Sequence, residues 1–318
     1  MANYNNLIDR SGAVALMPED VSMKLIQEVK DASLAMTAFE DVQMARGQTR
    51  APVIAALVVA YFVGSDTGLA QTTQMDWKNK YINAETLEAI VPIPETVLED
   101  VEGDIWAQIE PKVKHAIART LDAAVIFGTG APETWPEDMV AAAKAAGNER
   151  KIGTASKEEG GLAHDIDVLL EQIEGDGFDY NFAAAYIGLK TKIRNARNTL
   201  GDQLADFSAD RAGGFQTLYD QPLVFPARGM WPTGSTEAQA ILFEREQFVV
   251  GLRTDFDMKI LDQAVISDNE GKIIFNLATQ DMIGLRIRFR CGWQVSNQVT
   301  YDQPTEADRY PAAVLTHE

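Results

Sequence analysis

The 318-residue chain is poor in the residues from which most catalytic and metal sites are built. Its single cysteine, Cys291, excludes an internal disulfide framework and any site that needs several thiolates. Three histidines, His115, His164 and His317, are too few for a His-rich metal centre. The phosphate loop GxxxxGK, the zinc helix HExxH and the nucleophile elbow GxSxG do not occur. Positive charge is scarce too, since 28 Lys and Arg against 47 Asp and Glu give a formal net charge of −19. Phosphate binding is driven by Lys and Arg, so this balance argues against a nucleic-acid clamp. Long apolar runs are also missing. The longest, Val53 to Val63, falls well short of the roughly 20 residues that cross a bilayer. The first ten residues, MANYNNLIDR, lack the basic start and apolar stretch of a signal peptide. The chain reads as soluble, made in a reducing cytoplasm, with no membrane partner.

What is present is a folding composition. Hydrophobic residues make up 46% and charged residues 24%, which supports a sizeable core and excludes intrinsic disorder. No heptad or glycine period marks a coiled coil or collagen.

Several small clusters invite a chemical reading and have a plainer one. Gly128-Thr129-Gly130 follows a helix pattern, not a strand, and reads as a helix stop where a nucleotide loop would need a βαβ frame. His164 with Asp165 and Asp167 reads as an acidic first helical turn in preference to an acid–base or metal cluster. The run Glu99, Asp100, Glu102, Asp104 reads as a solvated face, with Ca²⁺ binding as the alternative. Cys291 lies on the apolar side of a strand pattern and reads as a buried, inert thiol. No catalytic constellation survives, and neither a cofactor nor a metal is implied.

The order of elements is more informative. Pro18, Glu19 and Asp20 open an amphipathic helix carrying Val21, Leu25 and Val29. From Pro52 the pattern turns extended. VIAALVVAYFV and MDWKNKYINAETLEAIVPI flank the polar GSDTGLAQTTQ and predict a projecting hairpin, roughly 30 Å long for a ten-residue arm. Such a hairpin is marginal in water unless it lies on the chain's own body or on another subunit. Pro94 starts a short acidic helix ending at Gly103. A long helix follows, capped by Asp104, with Ile105, Ile109, Val113, Ile117, Leu121 and Ala124 on one stripe and Lys112, Lys114 and Arg119 on the other faces. Pro111 lies inside it. Pro136 to Gly147 predicts another helix, and ERKIGTASKEEGG a flexible connection. A mixed α/β unit then runs through the helix His164–Glu174, the strand Phe182–Ile187, the helix Leu189–Asn198, and strands in TLYDQPLVF and AILFEREQFVVGL. Between these last two, PARGMWPTGST is a Pro- and Gly-rich loop. In the final strand Leu285, Ile287, Phe289, Cys291, Trp293 and Val295 point one way and Arg286, Arg288 and Arg290 the other. Three neighbouring arginines need opposing charge. It can come from carboxylates of the same chain, from a neighbouring subunit, or from DNA.

This succession, from about Pro18 to Thr300, resembles the major capsid proteins of tailed bacteriophages, the Hong Kong 97-type fold that encapsulin shells share. VSMKLIQEVKDASLAMTAFEDVQMARGQTRAPVI resembles the family's N-terminal arm. AALVVAYFV with MDWKNKYINAETLEAIVPIP resembles its extended hairpin, the E-loop. VPIPETVLEDVEGDIWAQIEPKVKHAIARTLDAAVIFGTG resembles the acidic helix and spine helix, FAAAYIGLKTKIRNARN with TLYDQPLVF the A-domain, and LRIRFRCGWQV the last strand. The resemblance implies an α+β chain divided into an N-terminal arm (1–50), an E-loop (51–93), a P-domain (94–158 and 254–318) and an A-domain (159–253). It implies a structural, non-enzymatic protein that self-assembles as hexamers and pentamers into an icosahedral virion capsid around double-stranded DNA. DNA would be cargo without sequence-specific binding, and assembly would take place in the host cytoplasm. A portal protein, and separate scaffolding and decoration proteins, are the implied partners, since no scaffold precedes the arm. The family's best-known member joins subunits through Lys–Asn cross-links, and Lys78 and Lys80 lie on the returning hairpin strand, where a cross-linking lysine could sit. Most members do not cross-link, and neither an asparagine acceptor nor a catalytic carboxylate is assigned. Trp77, Lys78 and Lys80 on the hairpin, and Arg286, Arg288 and Arg290 on the last strand, are the expected assembly residues. An encapsulin-type cargo compartment and a cytosolic α/β enzyme are the competing readings.

Overall fold

The computed structural model describes residues 33–57, 75–95, 105–195, 216–226, 231, 238–267 and 271–317. The helix expected after Pro18, the hairpin tip Gly64–Gln74, the acidic helix after Pro94 with the Asp104 cap, and most of the loop 226–236 lie outside those residues. In chain order the described elements begin with α1 (Leu34–Ala38), β1 (Glu40–Gln43), β2 (Gln48–Ala56), β3 (Asp76–Asn83) and β4 (Glu85–Pro94). Next come α2 (Ile105–Phe127), α3 (Met139–Ala145), β5 (Glu149–Lys151), α4 (Leu162–Gly175), β6 (Phe182–Ala185) and α5 (Leu189–Asn195). The remainder is strand: β7 (Gln216–Leu218), β8 (Gln221–Val224), β9 (Ala238–Phe243), β10 (Phe248–Leu261), β11 (Val265–Ser267), β12 (Ile273–Asn276), β13 (Met282–Val295) and β14 (Ala312–Thr316).

Two sheets organise these elements. One has the order β1-β10-β13-β4 and the other β5-β14-β9-β6-β8-β7, while β2–β3 and β11–β12 are separate two-stranded ribbons. A single core joins the two large sheets. Phe289, Cys291 and Trp293 of β13 share it with Phe182 of β6, Phe243 of β9 and Val314 of β14. The opposite face of the six-stranded sheet, through Ala183, Leu242 and Leu315, packs on Ile166, Leu169 and Ile173 of α4 and on Leu189 and Ile193 of α5. The central strands are therefore buried on both sides, which explains their unbroken apolar runs.

The spine helix α2 forms with Pro111 inside it and is about 35 Å long at 1.5 Å per residue. Gly128 (φ 66°) and Gly130 (φ 70°) end it in the left-handed conformation. The expected face division needs correction at Lys114. Lys112 and Arg119 are exposed, but Lys114 is buried. Positions 114, 118, 122 and 125 form a second buried stripe, because the helix is covered on more than one side.

Three further expectations change. α3 is capped by Asp138, whose carboxylate accepts from the Ala141 amide at 3.0 Å, so the helix starts later than Pro136. The stretch after Gly147 is not a loose connection. β5 pairs in parallel with β14, and the following loop is gathered on Asp165, which is 0% exposed. Asp165 accepts from Arg150 Nε (3.0 Å) and from the amides of Gly153 (2.9 Å) and Ala155 (3.0 Å). AILFEREQFVVGL splits at a 3-10 turn, Arg245–Gln247, so that β9 joins one sheet and β10 the other. Near the end of the sequence, β14 sits between β5 and β9 in the six-stranded sheet.

Candidate assembly surface

The hairpin is built by β2 and β3 in antiparallel register, with Ala51 opposite Lys80, Val53 opposite Lys78 and Ile54 opposite Trp77. The long return run breaks at Ala84, whose amide donates to Gly47 O at 2.8 Å, and β4 continues into the four-stranded sheet. Alternation then sorts the side chains. Ile82, Lys80 and Lys78 face the body with Val53 and Ala51. Trp77 and Tyr81 take the other face with Ile54, Pro52 and Arg50. Trp77 is 64% exposed and Tyr81 46%. The expected trio is thus divided, with the indole outward and both lysines inward. Lys78 Nζ lies 2.7 Å from Glu306 Oε2, and Lys80 Nζ 3.3 Å from Glu306 Oε1. These lysines lower the Glu306 carboxyl from its ordinary value, the hydrogen bond from Lys78 contributing most. Burial, against the pull of Glu306, lowers the Lys80 ammonium.

The root of the hairpin lies across the four-stranded sheet on a pair of opposed glycines, Gly251 of β10 and Gly292 of β13. A Cβ on Gly292 would strike the Asn83 carbonyl, and one on Gly251 would strike Met44 and Ile82. Trp135 Nε1 donates to Asn83 O at 3.1 Å, and Asn83 Nδ2 donates to Thr134 O at 2.9 Å. Gln294 Nε2 donates to Tyr81 O at 3.0 Å.

The alternation expected in β13 is present. Leu285, Ile287, Phe289, Cys291, Trp293 and Val295 are all buried, and Arg286, Arg288 and Arg290 lie partly exposed on the other face. Register places Arg288 between Asp257 of β10 and Glu88 of β4, and Arg290 opposite Arg253. Arg286 Nε is 3.6 Å from Glu88 Oε1, so Arg286 meets a carboxylate of its own chain. Cys291 is buried and free, and burial pushes its thiol up to about 12. His164 and Asp167 are exposed where Asp165 is buried, so the three do not converge. Among the described residues no group of His, Cys, Asp and Glu could hold a metal ion. An open acidic cleft of about 630 Å³ lies between α4 and the β7–β8 turn, where Tyr219 donates to Asp167 at 2.5 Å.

Glu306, Arg309 and the Gly251–Gly292 pair escape a reading of the sequence. Only Gly292 leaves a trace there, as a glycine on the arginine side of the alternating run Leu285 to Val295. Glu306 acts on partners distant in the chain, and Arg309 on carbonyls of its own irregular loop, so neither carries a periodic pattern.

The model of the Phage capsid family matches residues 13–299. A solved structure from Microbacterium phage Oxtober96 is similar at 31% identity and TM-score 0.75, with 90% of this chain and 91% of that chain covered. One from Mycobacterium phage Cain is similar at 28% identity and TM-score 0.75, with 98% and 99% covered. The fold, but not close sequence, is shared with the capsid of a native GTA particle computed with C5 symmetry, at 14% identity and TM-score 0.60 over 90% of both chains. No curated protein matches.

Proposed function

This chain belongs to the phage capsid family and is a structural major capsid protein of the tailed-phage, Hong Kong 97-type fold, and from that premise we propose how its copies assemble. They form hexamers and pentamers that close into an icosahedral shell around double-stranded DNA, after assembly in the host cytoplasm. The shell has no catalytic role. A portal protein, and separate scaffolding and decoration proteins, complete the particle, and DNA is held as cargo without sequence-specific contacts. We divide the chain for this purpose into arm (1–50), E-loop (51–93), P-domain (94–158 and 254–318) and A-domain (159–253), with the β14 strand lending the P-domain's last stretch to the A-domain sheet.

The observation that carries the assembly reading is the two-faced hairpin. Its inner face is tied to its own subunit through Lys78, Lys80 and Ile82. Its outer face presents Trp77, Tyr81, Ile54 and Pro52, an apolar stripe on a chain of net charge −19. Exposed aromatic residues of this kind bury well against a second copy. Arg286, Arg288 and Arg290 give the adjacent sheet a basic face suited to carboxylates of a neighbour. Repetition around closed symmetry multiplies modest contacts into a stable shell.

The test is Trp77→Glu beside deletion of Gly64–Gln74, each scored by negative-stain microscopy and sizing chromatography. Both variants are expected to give folded, soluble subunits without closed particles. Shells of normal size and yield from both would overturn the hairpin's role.

A further inference from the structure

The segment that follows β13 returns to the hairpin and holds it. Val299 N donates to Ile54 O on β2 at 3.3 Å, and Glu306 meets Lys78 and Lys80 on β3 at 2.7 and 3.3 Å. Both strands are thus gripped from one side by one loop. The loop has no regular pairing of its own beyond a 3-10 turn, Glu306–Asp308. Its shape comes from Arg309, which is only 4% exposed. The Arg309 guanidinium donates to four carbonyls of that loop: Nε to Gln298 (3.0 Å), Nη2 to Asn297 (3.2 Å), and Nη1 to Gln303 (3.3 Å) and Pro304 (2.7 Å). Asn297, in the left-handed conformation at φ 41°, donates back from Nδ2 to Arg309 O at 3.1 Å. The loop is also pinned to the body. Thr300 Oγ1 donates to Asp176 O at 2.6 Å, and the Tyr310 amide donates to Asp176 Oδ2 at 3.0 Å. Gly177 allows this approach, since a Cβ there would come within 2.8 Å of Thr300 Cβ.

We propose that residues 296–310 are a strap that fixes the pitch of the hairpin within a single subunit, with Arg309 as the positioning residue that folds the strap and Glu306 as its grip on Lys78 and Lys80. A guanidinium suits this role because its planar donors can address several carbonyls at once, which an ammonium on a flexible stem cannot do in fixed geometry. The consequence for assembly rests on the shell reading; the strap's geometry does not. A hairpin already held at one angle loses less freedom when a neighbour docks on its outer face.

Hydrogen–deuterium exchange on full-length subunits, before and after assembly, tests the strap directly. Glu306→Gln is expected to speed exchange of the β3 amides, residues 76–83, about tenfold in unassembled subunits, with α2 and the large sheets unchanged. The triple inversion Lys78→Glu, Lys80→Glu, Glu306→Lys restores the charge pairing and is expected to return exchange to within about twofold of the parent. Arg309→Lys is expected to loosen residues 297–306 and the hairpin together. Unchanged β3 exchange in Glu306→Gln, or a triple variant that exchanges as fast as Glu306→Gln, would overturn the proposal. Particle yield is scored separately. Normal shells from Glu306→Gln with a loosened hairpin would uphold the strap and count against the hairpin's role in the shell.

Discussion

Asp122 sits in the C-terminal third of the spine helix, almost wholly buried, and accepts from Ser33 Oγ at 2.6 Å and from the amides of Leu34 at 2.9 Å and Ala35 at 3.0 Å. It therefore serves as an N-terminal cap for α1 from another helix. Burial pushes its carboxyl up to about 6, against the lowering effect of those three hydrogen bonds. A raised carboxyl binds its proton more tightly in the folded chain, so Asp122 favours folding more as pH falls from about 6 towards 4. The effect reaches on the order of 3 kcal/mol across that window. Asp122→Asn removes the titration while keeping the size. Its unfolding free energy is expected to lose that component of the slope between pH 4 and 6 relative to the parent, read by denaturant titrations at several pH values. An identical slope in the two proteins would refute the assignment. Glu306 has the opposite sign, since its lowered carboxyl supports the hairpin above its ordinary range and releases it in stronger acid. None of this was legible beforehand. Asp122 reads as one more polar residue of a helix, and Asp165 as a first-turn acid, because the donors that bury them come from elsewhere in the chain. By contrast, the burial of Cys291 followed from a strict period of two.

At the level of elements, the sharpest constraint is the crossing of the hairpin root over Gly251 and Gly292. The neighbour at Gly292 is the Asn83 backbone, which cannot turn aside as a side chain can. Gly292→Ala is expected to cost about 2 kcal/mol and to lower the Tm, as overpacking does, with the loss concentrated at the hairpin root. A Tm within a degree of the parent would show that the hairpin does not bear on the sheet there. The spine helix, the hairpin and the arginine strand could be seen in the sequence because each has a strong period or a clear stop. Sheet membership could not. Glu244 to Gln247 looks like the middle of one strand, and only the three-dimensional turn there sends β9 and β10 to different sheets. The return strand of the hairpin likewise continues without a break in pattern into β4, although the two strands serve different sheets.

For the whole molecule, the net charge of −19 sets the long-range force between copies. Subunits of one sign repel, and salt shortens the reach of that repulsion to about 8 Å at physiological ionic strength. Closed particles are therefore expected to form faster as NaCl rises from about 0.05 to 0.5 M, followed by light scattering. Slower assembly over that range would mean that the attractive charge pairs, the arginine face among them, outweigh the general repulsion. Architecture was legible as an order of parts, arm to hairpin to spine to mixed unit to arginine strand, while the packing that ties them into one body was not. The placement of β14 has a further effect, on timing. It fills the slot between β5 and β9, two strands synthesised long before it. Until Ala312–Thr316 leaves the ribosome, that slot stays open and the sheet is in two pieces. Closing it is a long-range, hence slow, event. Each polypeptide must then be translated past Thr316 before it presents finished surfaces to its neighbours, which delays polymerisation on nascent chains.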